Sequence, residues 1–179
     1  MQVTTLIIAI LGWVTATAAL TWNVVSWLLA GARATVEFRV GALVDGNQYL
    51  TQPIRPGWQR WLQENMETNG LTGELMLFVN VRNTGRTRLT IHQCGFRAST
   101  GEQYSTPGGP DVGEKFPITL EAGDATTLGY NAAGILAGAE TSADFYKKGS
   151  VDLRARVELG SGKLVNSKEA LTVPRRQST

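Results

Sequence analysis

The sequence contains little of what active sites are commonly built from, and its first part contains no charge. Its 179 residues include one cysteine and one histidine, which excludes an intramolecular disulfide and a metal site made of several histidines. All 17 basic and 15 acidic residues lie from Arg33 onward. They make up about 22% of residues 33–179, close to the roughly 25% of an average soluble domain. The composition therefore predicts an uncharged N-terminal segment followed by a soluble body.

The uncharged segment, residues 1–32, is predicted to form a transmembrane helix. It is longer than the roughly 18 consecutive apolar residues that mark a membrane span. Trp22 and Trp27 stand towards its body-proximal end, where aromatic side chains favour the headgroup layer. A cleavable signal peptide is the alternative, because residues 16–19 resemble a small-residue cleavage site. The missing basic N-terminal region and the apolar sequence up to Leu29 favour the span.

The basic residues beside this helix predict which side of the membrane carries the body. Arg33 and Arg39 follow the helix closely, whereas only the α-amino group precedes it. Lysine and arginine are retained on the cytoplasmic side, and the free thiol of Cys94 is compatible with a reducing compartment. We therefore expect a single-pass protein of the cell membrane, with its body in the cytoplasm.

One face of the predicted helix carries only small or amide-bearing side chains. Small residues let helix backbones approach closely in lipid, and an amide can hydrogen-bond across the contact. Such a stripe predicts self-association or docking onto another membrane helix. The alternative is that small residues are common in spans and that the asparagine merely lies near the interface. The stripe consists of Gly12, Ala16, Ala19, Asn23 and Ser26.

In the body, apolar residues recur at every second position, as in β-strands. The clearest alternation covers 35–44 and 151–159, and the segment 75–81 is apolar on both faces, which predicts a central strand. Turn residues at 82–86 predict a hairpin that leads into a strand at 89–91. Further strands are predicted around 96–98, 116–120, 125–130 and 163–173, with a loop at 105–113.

Two segments of the body are predicted to be helical or ordered between strands. Asn131 is a candidate cap for a helix that extends to Tyr146. The segment 53–69 is predicted to be a short helix or an ordered loop. The expected buried side of the later helix is Ala132, Ile135, Leu136, Ala139 and Phe145.

These elements predict a mainly β chain with three parts. A transmembrane helix at 1–32 precedes an antiparallel immunoglobulin-like β-sandwich at 33–173, and residues 174–179 form a polar tail. Short strands separated by regular turn signals are typical of a sandwich. A short helical insertion is expected before the closing hairpin.

Three stretches of the sequence carry a family resemblance. They are LTWNVVSWLLAG leading into ATVEFRVGAL, LFVNVRNTGRTRLTIHQCGFR, and FPITLEAGDATTLGYNAAGI. Together they resemble a group of small bacterial, mainly actinobacterial, membrane-anchored proteins that carry an immunoglobulin-like sandwich. The most characteristic pieces, NTGR-x-x-LTI and LEAGD, are turns of the sandwich. The resemblance covers nearly the whole chain and implies a fold and membrane attachment; the group has no assigned activity, so it implies no site residues.

Few residues of the body are candidates for catalysis. His92 and Cys94 are two positions apart, which predicts that they share one face of a strand, and a Cys–His pair is the minimum for a thiol nucleophile. Because no residue that would orient the histidine is evident, the sequence favours a packed cysteine and a surface histidine. The glycine-rich loop at 106–110 lacks the lysine of a phosphate-binding loop. We expect no enzymatic activity, no cofactor and no metal.

Two groups of residues are candidate partner surfaces. Trp58 and Trp61 would be a protein hot spot or would lie against the lipid headgroups, but the sequence favours packing against an open side of the sandwich. Arg86 and Arg88 belong to a basic region that would attract acidic phospholipids or form an ordinary solvated face. A small-molecule substrate is not expected, and the weak net charge argues against a nucleic acid.

The leading hypothesis is a non-enzymatic, single-pass membrane protein whose β-sandwich mediates protein-protein interaction near the bilayer. The second hypothesis is a structural or accessory subunit of a larger membrane or virion assembly, in which the apolar helix contacts other proteins instead of lipid. In either case the expected partners are the lipid bilayer and a protein, or a second copy bound through the helix.

Overall fold

Ten strands and three helices make up the part of the chain that the computed structural model describes, residues 2–29, 31, 33–44, 48–106 and 108–175. In chain order they are α1 (Gln2–Leu29), β1 (Ala34–Val44), β2 (Gln48–Pro53), α2 (Trp58–Thr68), β3 (Gly73–Asn83), β4 (Leu89–Ala98), β5 (Gln103–Tyr104), β6 (Ile118–Leu120), β7 (Ala125–Asn131), α3 (Ala132–Phe145), β8 (Ser150–Leu159), β9 (Leu164–Asn166) and β10 (Leu171–Pro174).

Helix α1 is long and apolar enough to cross a membrane, as the sequence predicts. Its 28 residues would measure about 42 Å, against a hydrocarbon core of about 30 Å. The segment Ile7–Ser26 has a mean hydropathy of 1.6, and none of it is buried. Trp13 and Trp22 are each 71% exposed. Met1, Ala30 and Ala32 of the predicted span lie outside the described residues.

The first sheet has the strand order β2, β1, β3, β7, and all of its pairings are antiparallel. β1 and β3 pair along their whole length, from Ala34 opposite Asn83 to Val44 opposite Gly73. β3 is an internal strand buried on both faces, which confirms the prediction. On its outer face Phe78 is covered in part by the loop at 109–113, which reaches Gly129 of β7.

The second sheet has the order β10, β8, β4, β5, with β6 beside β4 and β9 beside β8. β8 alternates buried and exposed residues as predicted. The predicted strands at 89–91 and 96–98 are one strand, β4, with an irregularity between Ile91 and Gln93. The predicted closing strand at 163–173 is divided into β9 and β10, and both pair with β8.

The two sheets share one hydrophobic core. Phe38 of β1 and Phe96 of β4 lie with ring centroids 5.3 Å apart, and Phe96 meets Tyr130 of β7 edge to face at 5.4 Å. All three residues are at most 2% exposed. The coarse architecture, two antiparallel sheets after an apolar N-terminal helix, is therefore as predicted.

The predicted hairpin at 82–86 is wrong, because β3 and β4 belong to different sheets. Asn83, which is completely buried, stabilises the segment that connects the two sheets. Its amide nitrogen donates to the carbonyl oxygens of Thr87, Leu120 and Glu121 at 2.9, 3.1 and 3.1 Å, and its amide oxygen accepts from the Gly85 N–H at 3.0 Å. The turn residues therefore redirect the chain between sheets instead of reversing it within one.

Helix α3 begins as predicted, and Ala132, Ile135 and Ala139 are buried as predicted, whereas Phe145 is not. Asn131 caps it, since the side chain accepts a hydrogen bond from the Ala133 N–H at 2.9 Å. Phe145, which the sequence places on the buried side, is 78% exposed. The small residues Ser142 and Ala143 are buried near this end instead, because α3 packs closely on the second sheet. Leu136 is half-buried and packs against the core.

The first and the last strand mark the two ends of the body in the structure. The first sheet begins at Ala34, and β10 ends at Pro174. Arg175, the second residue of the predicted tail, still donates its backbone N–H to Gly149 and pairs with Asp144 at 2.5 Å. Residues 176–179 of that tail lie outside the described residues.

Replacing Asn83 by alanine is expected to lower the free energy of unfolding by about 3 kcal/mol, because buried backbone groups lose their partners. Urea unfolding of the full chain in detergent, followed by tryptophan fluorescence, measures this change. The control is Asn80→Ala on the same strand, where the side chain is half-buried and a change within about 0.5 kcal/mol is expected. Equal losses in the two variants would contradict the role of Asn83.

Candidate functional site

Helix α2 covers one end of the first sheet. Ala42 and Val44 continue the core-facing side of β1, but they pack with Leu62 of α2 in a cluster separate from the main core. The helix starts after Gly57, whose φ of +81° is a left-handed conformation that favours glycine. Leu62 is the buried residue of α2, with 7% of its surface exposed. The helix thus closes an end of the two-sheet body that the second sheet leaves open.

An apolar groove with a volume of 620 Å³ runs beside this helix. Three residues of α2 spaced by four positions, Trp58, Leu62 and Met66, line it on one side. Leu71 and Leu75, which follow on the way into β3, line the other side. The polar side chains of Gln59, Gln63 and Glu67 form its rim. We call this feature the α2 groove.

The two tryptophans predicted as a partner surface have different surroundings. Both are half-buried. Trp58 lines the α2 groove and packs against both hydrophobic clusters, and its carbonyl accepts a hydrogen bond from Gln52 Nε2 at 3.2 Å. Trp61 packs against the cluster around Leu62 and does not line the groove. Packing therefore accounts for Trp61, while Trp58 belongs to a surface that a partner can reach.

The structure does not bring the tryptophans together with Arg86 and Arg88. The α2 groove lies beside Leu75 near the start of β3, whereas the arginines follow Asn83 at its end. Eight residues of strand separate these points by about 26 Å. Arg86 is exposed, and Arg88 forms an exposed ion pair with Glu121 at 2.8 Å. The predicted partner residues therefore belong to two surfaces at opposite ends of the body.

The candidate Cys–His pair is not formed, in agreement with the packed cysteine and surface histidine that the sequence favours. The irregularity in β4 leaves both His92 and Gln93 exposed, so that Cys94 faces the core and His92 faces solvent. Burial raises the pKa of the Cys94 thiol from 9.0 to about 12, although the neighbouring Tyr130 hydroxyl partly offsets this effect. A thiol in this state is not a nucleophile at neutral pH. The prediction that both side chains share one face is wrong.

The small-residue stripe of α1 lies on the exposed surface of the helix. Gly12, Ala16, Ala19 and Asn23 are exposed, and Ser26 is half-buried. Neighbouring threonine hydroxyls donate to their own helix, as Thr15 does to the Leu11 carbonyl at 2.8 Å. The Asn23 amide has no hydrogen-bond partner among the described residues and is available to another helix.

A polar cluster fastens α3 to the segment after β4. The Glu102 carboxylate accepts hydrogen bonds from the hydroxyls of Thr100 and Ser142, the latter at 2.9 Å, and the two hydroxyls lie 2.8 Å apart. Mainly because of the Thr100 hydroxyl, the pKa of Glu102 falls from 4.5 to about 2. An ionised carboxylate that accepts hydrogen bonds from hydroxyls holds them in place and is a poor general base at neutral pH. The cluster is therefore structural.

The chemistry of the described residues offers no metal site, since no three His, Cys, Asp or Glu side chains among them come together. No protein-family model, curated protein or solved structure matches this chain. The α2 groove is consequently the feature whose own shape and composition bear most directly on function. Sequence reasoning identified one of its residues, Trp58, and the four-residue spacing through Leu62 and Met66 could have identified two more.

Replacing Glu102 by glutamine is expected to destabilise the chain near pH 7 and to make little difference near pH 2. A carboxyl whose pKa is lower in the folded chain stabilises the fold above pH 4.5, and this contribution is lost as the pH falls towards 2. Urea unfolding across this range measures the gap between wild type and variant. Glu114→Gln in the exposed loop is the control, and a gap that does not narrow with acid would contradict the role of Glu102.

Proposed function

We propose that this chain is a non-enzymatic, single-pass membrane protein whose body binds a partner protein at the α2 groove. In this proposal α1 spans the bilayer, and the body is an immunoglobulin-like sandwich on the cytoplasmic side. The observation that carries the proposal is the α2 groove, in which apolar side chains from α2 and from the segment leading into β3 line one open surface.

The exposure of α1 supports a membrane location. Apolar side chains such as those of Ile8, Leu11 and Leu20 are between 60% and 66% exposed. Surfaces of this kind are rare on soluble monomers and mark contact with lipid or protein. Positive charge close behind the helix, at Arg33 and Arg39, favours a cytoplasmic body.

The shape of the α2 groove favours a protein over a small molecule. Small-molecule sites enclose most of their ligand, whereas this groove is open along the surface between α2 and the start of β3. An apolar floor with a polar rim is the usual composition of a protein-protein interface. The occupant that fits best is an amphipathic helix of the partner, with apolar residues at i, i+3 and i+4.

A photo-crosslinking amino acid at Gln63, on the rim of the groove, is expected to give one discrete adduct with a partner protein in cells that express the full chain. The adduct should be lost in Met66→Lys, because a charge on the floor opposes an apolar ligand. It should persist in Thr68→Lys, which adds the same charge at an exposed position off the groove. An adduct that survives Met66→Lys would contradict the proposal.

The double substitution Ala19→Leu with Asn23→Leu is expected to weaken association of α1 by roughly tenfold. Leucine side chains keep the helices apart and remove the amide that is free to bond across the contact. Energy transfer between labelled copies in lipid vesicles measures the association. Ala18→Leu with Thr21→Leu, on a different face of the helix, is the control. Unchanged association in the first variant would show that the stripe is not the contact surface.

Purification of the full chain from membranes separates the proposal from its alternatives. A monomer or dimer that needs detergent for extraction supports a lipid-spanning helix. Release without detergent, together with other chains in fixed ratio, would instead favour a structural or accessory subunit of a larger assembly. A mature chain that lacks the first 19 or so residues would identify α1 as a cleaved signal peptide.

A further inference from the structure

The end of the body next to α1 carries an excess of positive charge. This end comprises Arg33, the segment 84–88 after β3, the turn at 121–124 and the turn at 160–163; we call it the α1-proximal end. The Gly160 N–H donates to the Thr90 carbonyl at 2.7 Å, which places the last of these turns beside the start of β4. Its exposed cations are Arg33, Arg86, Arg88 and Lys163, and its exposed acids are Glu121 and Asp124.

Chain length keeps this end close to α1. Only residues 30–33 lie between the end of α1 and β1, and four residues span at most about 14 Å. The backbone N–H groups of Thr84 and Gly85 donate to the Arg33 carbonyl at 2.8 and 3.3 Å. Wherever α1 lies, the segment that carries Arg86 and Arg88 is therefore close behind it.

The cations differ in how far acids nearby compensate them. Glu121 pairs with Arg88 at 2.8 Å, and Asp124 uses its carboxylate to accept the Glu121 N–H at 3.1 Å. Arg86 and Lys163 have no ion-pair partner among the described residues. The α1-proximal end thus presents at least two uncompensated positive charges. Arg86 lies on the segment that the bond from Asn83 to Thr87 holds in place, and Lys163 lies on the turn that the Gly160 N–H joins to Thr90.

We propose that the α1-proximal end binds acidic phospholipid headgroups of the membrane that α1 spans. The inference rests on the proposed function for the position of α1. The connection spans at most about 14 Å, which is less than two Debye lengths of roughly 8 to 10 Å, so acidic lipids of the headgroup layer can attract the nearby lysine and arginine. Headgroup binding fixes the tilt of the body and therefore the height at which the α2 groove meets its partner.

An acidic protein is a less suitable partner for this end of the body. With α1 in the bilayer, lipid headgroups already occupy the space beside Arg33, and a protein would have to displace them. The rigid, polar loops carry one large exposed hydrophobic residue, Leu164 at 45%, next to Lys163. Protein-binding sites usually have a larger apolar centre than this, whereas headgroup binding requires mainly charge.

The test uses the full chain in lipid nanodiscs in which some lipids carry a fluorescence quencher on their headgroup. A fluorophore is attached through Ser161→Cys in the exposed turn at 160–163; Cys94 is buried and does not compete for the label. Quenching is expected to be at least about twofold stronger in discs with acidic lipid than in neutral discs, and to fall in high salt because the attraction is electrostatic.

The matched variants remove two charges from either end of the body. Arg86→Gln with Lys163→Gln is expected to lower the ratio of docked to undocked chains by roughly thirtyfold, so that quenching in acidic discs falls to the neutral value. Lys147→Gln with Lys148→Gln removes the same charge at the exposed end of α3 and should leave quenching unchanged.

The outcomes separate the headgroup proposal from the membrane anchor. A chain that does not co-elute with the discs contradicts the anchor itself. A chain that co-elutes but shows equal quenching in neutral and acidic discs contradicts headgroup binding alone. Equal effects of the two variant pairs would also overturn it, because a general charge effect would then explain the result.

Discussion

The pairing of β1 with β3 is the constraint on which the rest of the body depends. Each strand has 11 residues and the two pair over their full length. Their shared inner face is apolar from Val36 to Val44. At the far end Ala42 and Val44 leave the main core and would expose apolar surface to water. Helix α2 covers this end through Leu62, Trp58 and Trp61, and because the helix is short it leaves a groove beside it.

At the end nearer to α1, the same two strands adjoin the segments that link the two sheets. There the chain must pass from one sheet to the other after β3 and again after β6, and both passages leave backbone groups that need partners. One buried side chain, Asn83, serves both, since its amide reaches the segment after β3 and the residues that end β6. Its backbone N–H also donates to the Asp124 carbonyl at 2.8 Å. The loops at this end are therefore firmly placed relative to Arg33.

Much of the fold could be predicted from local sequence, because periodicity and capping are local properties. The strands β1, β3 and β8, the Asn131 cap and the turn before Ala125 follow directly from residue spacing. Local spacing does not say which strand a neighbour pairs with, so the segment after Asn83 resembles a hairpin although it links two sheets. Local sequence also does not show where the pairing of two strands becomes irregular. The irregularity in β4 places His92 and Cys94 on opposite faces, although their spacing predicts one shared face.

The candidate site was harder to predict because it depends on contacts between distant segments. Trp58 was a candidate because of its residue type alone. Leu71 and Leu75, by contrast, line the groove only because the chain leading into β3 passes beside α2. The sequence gives no sign that Arg86 and Trp58 lie at opposite ends of β3. Because the two surfaces lie at opposite ends of the body, one ligand of ordinary size cannot bind both.

The distance between the two ends gives the body its mechanical role in the proposed function. β1 starts within a few residues of α1, and its 11 residues extend about 36 Å at about 3.3 Å per residue. A partner at the α2 groove is therefore held at a height that the strand length and the tilt of the body set together. If α1 were the only contact of the chain with the bilayer, that height would vary with the tilt of the body. The proposed second contact with the bilayer, separate from α1, would remove this freedom, and Arg86 on the segment that Asn83 holds lies close enough to α1 to contribute to it.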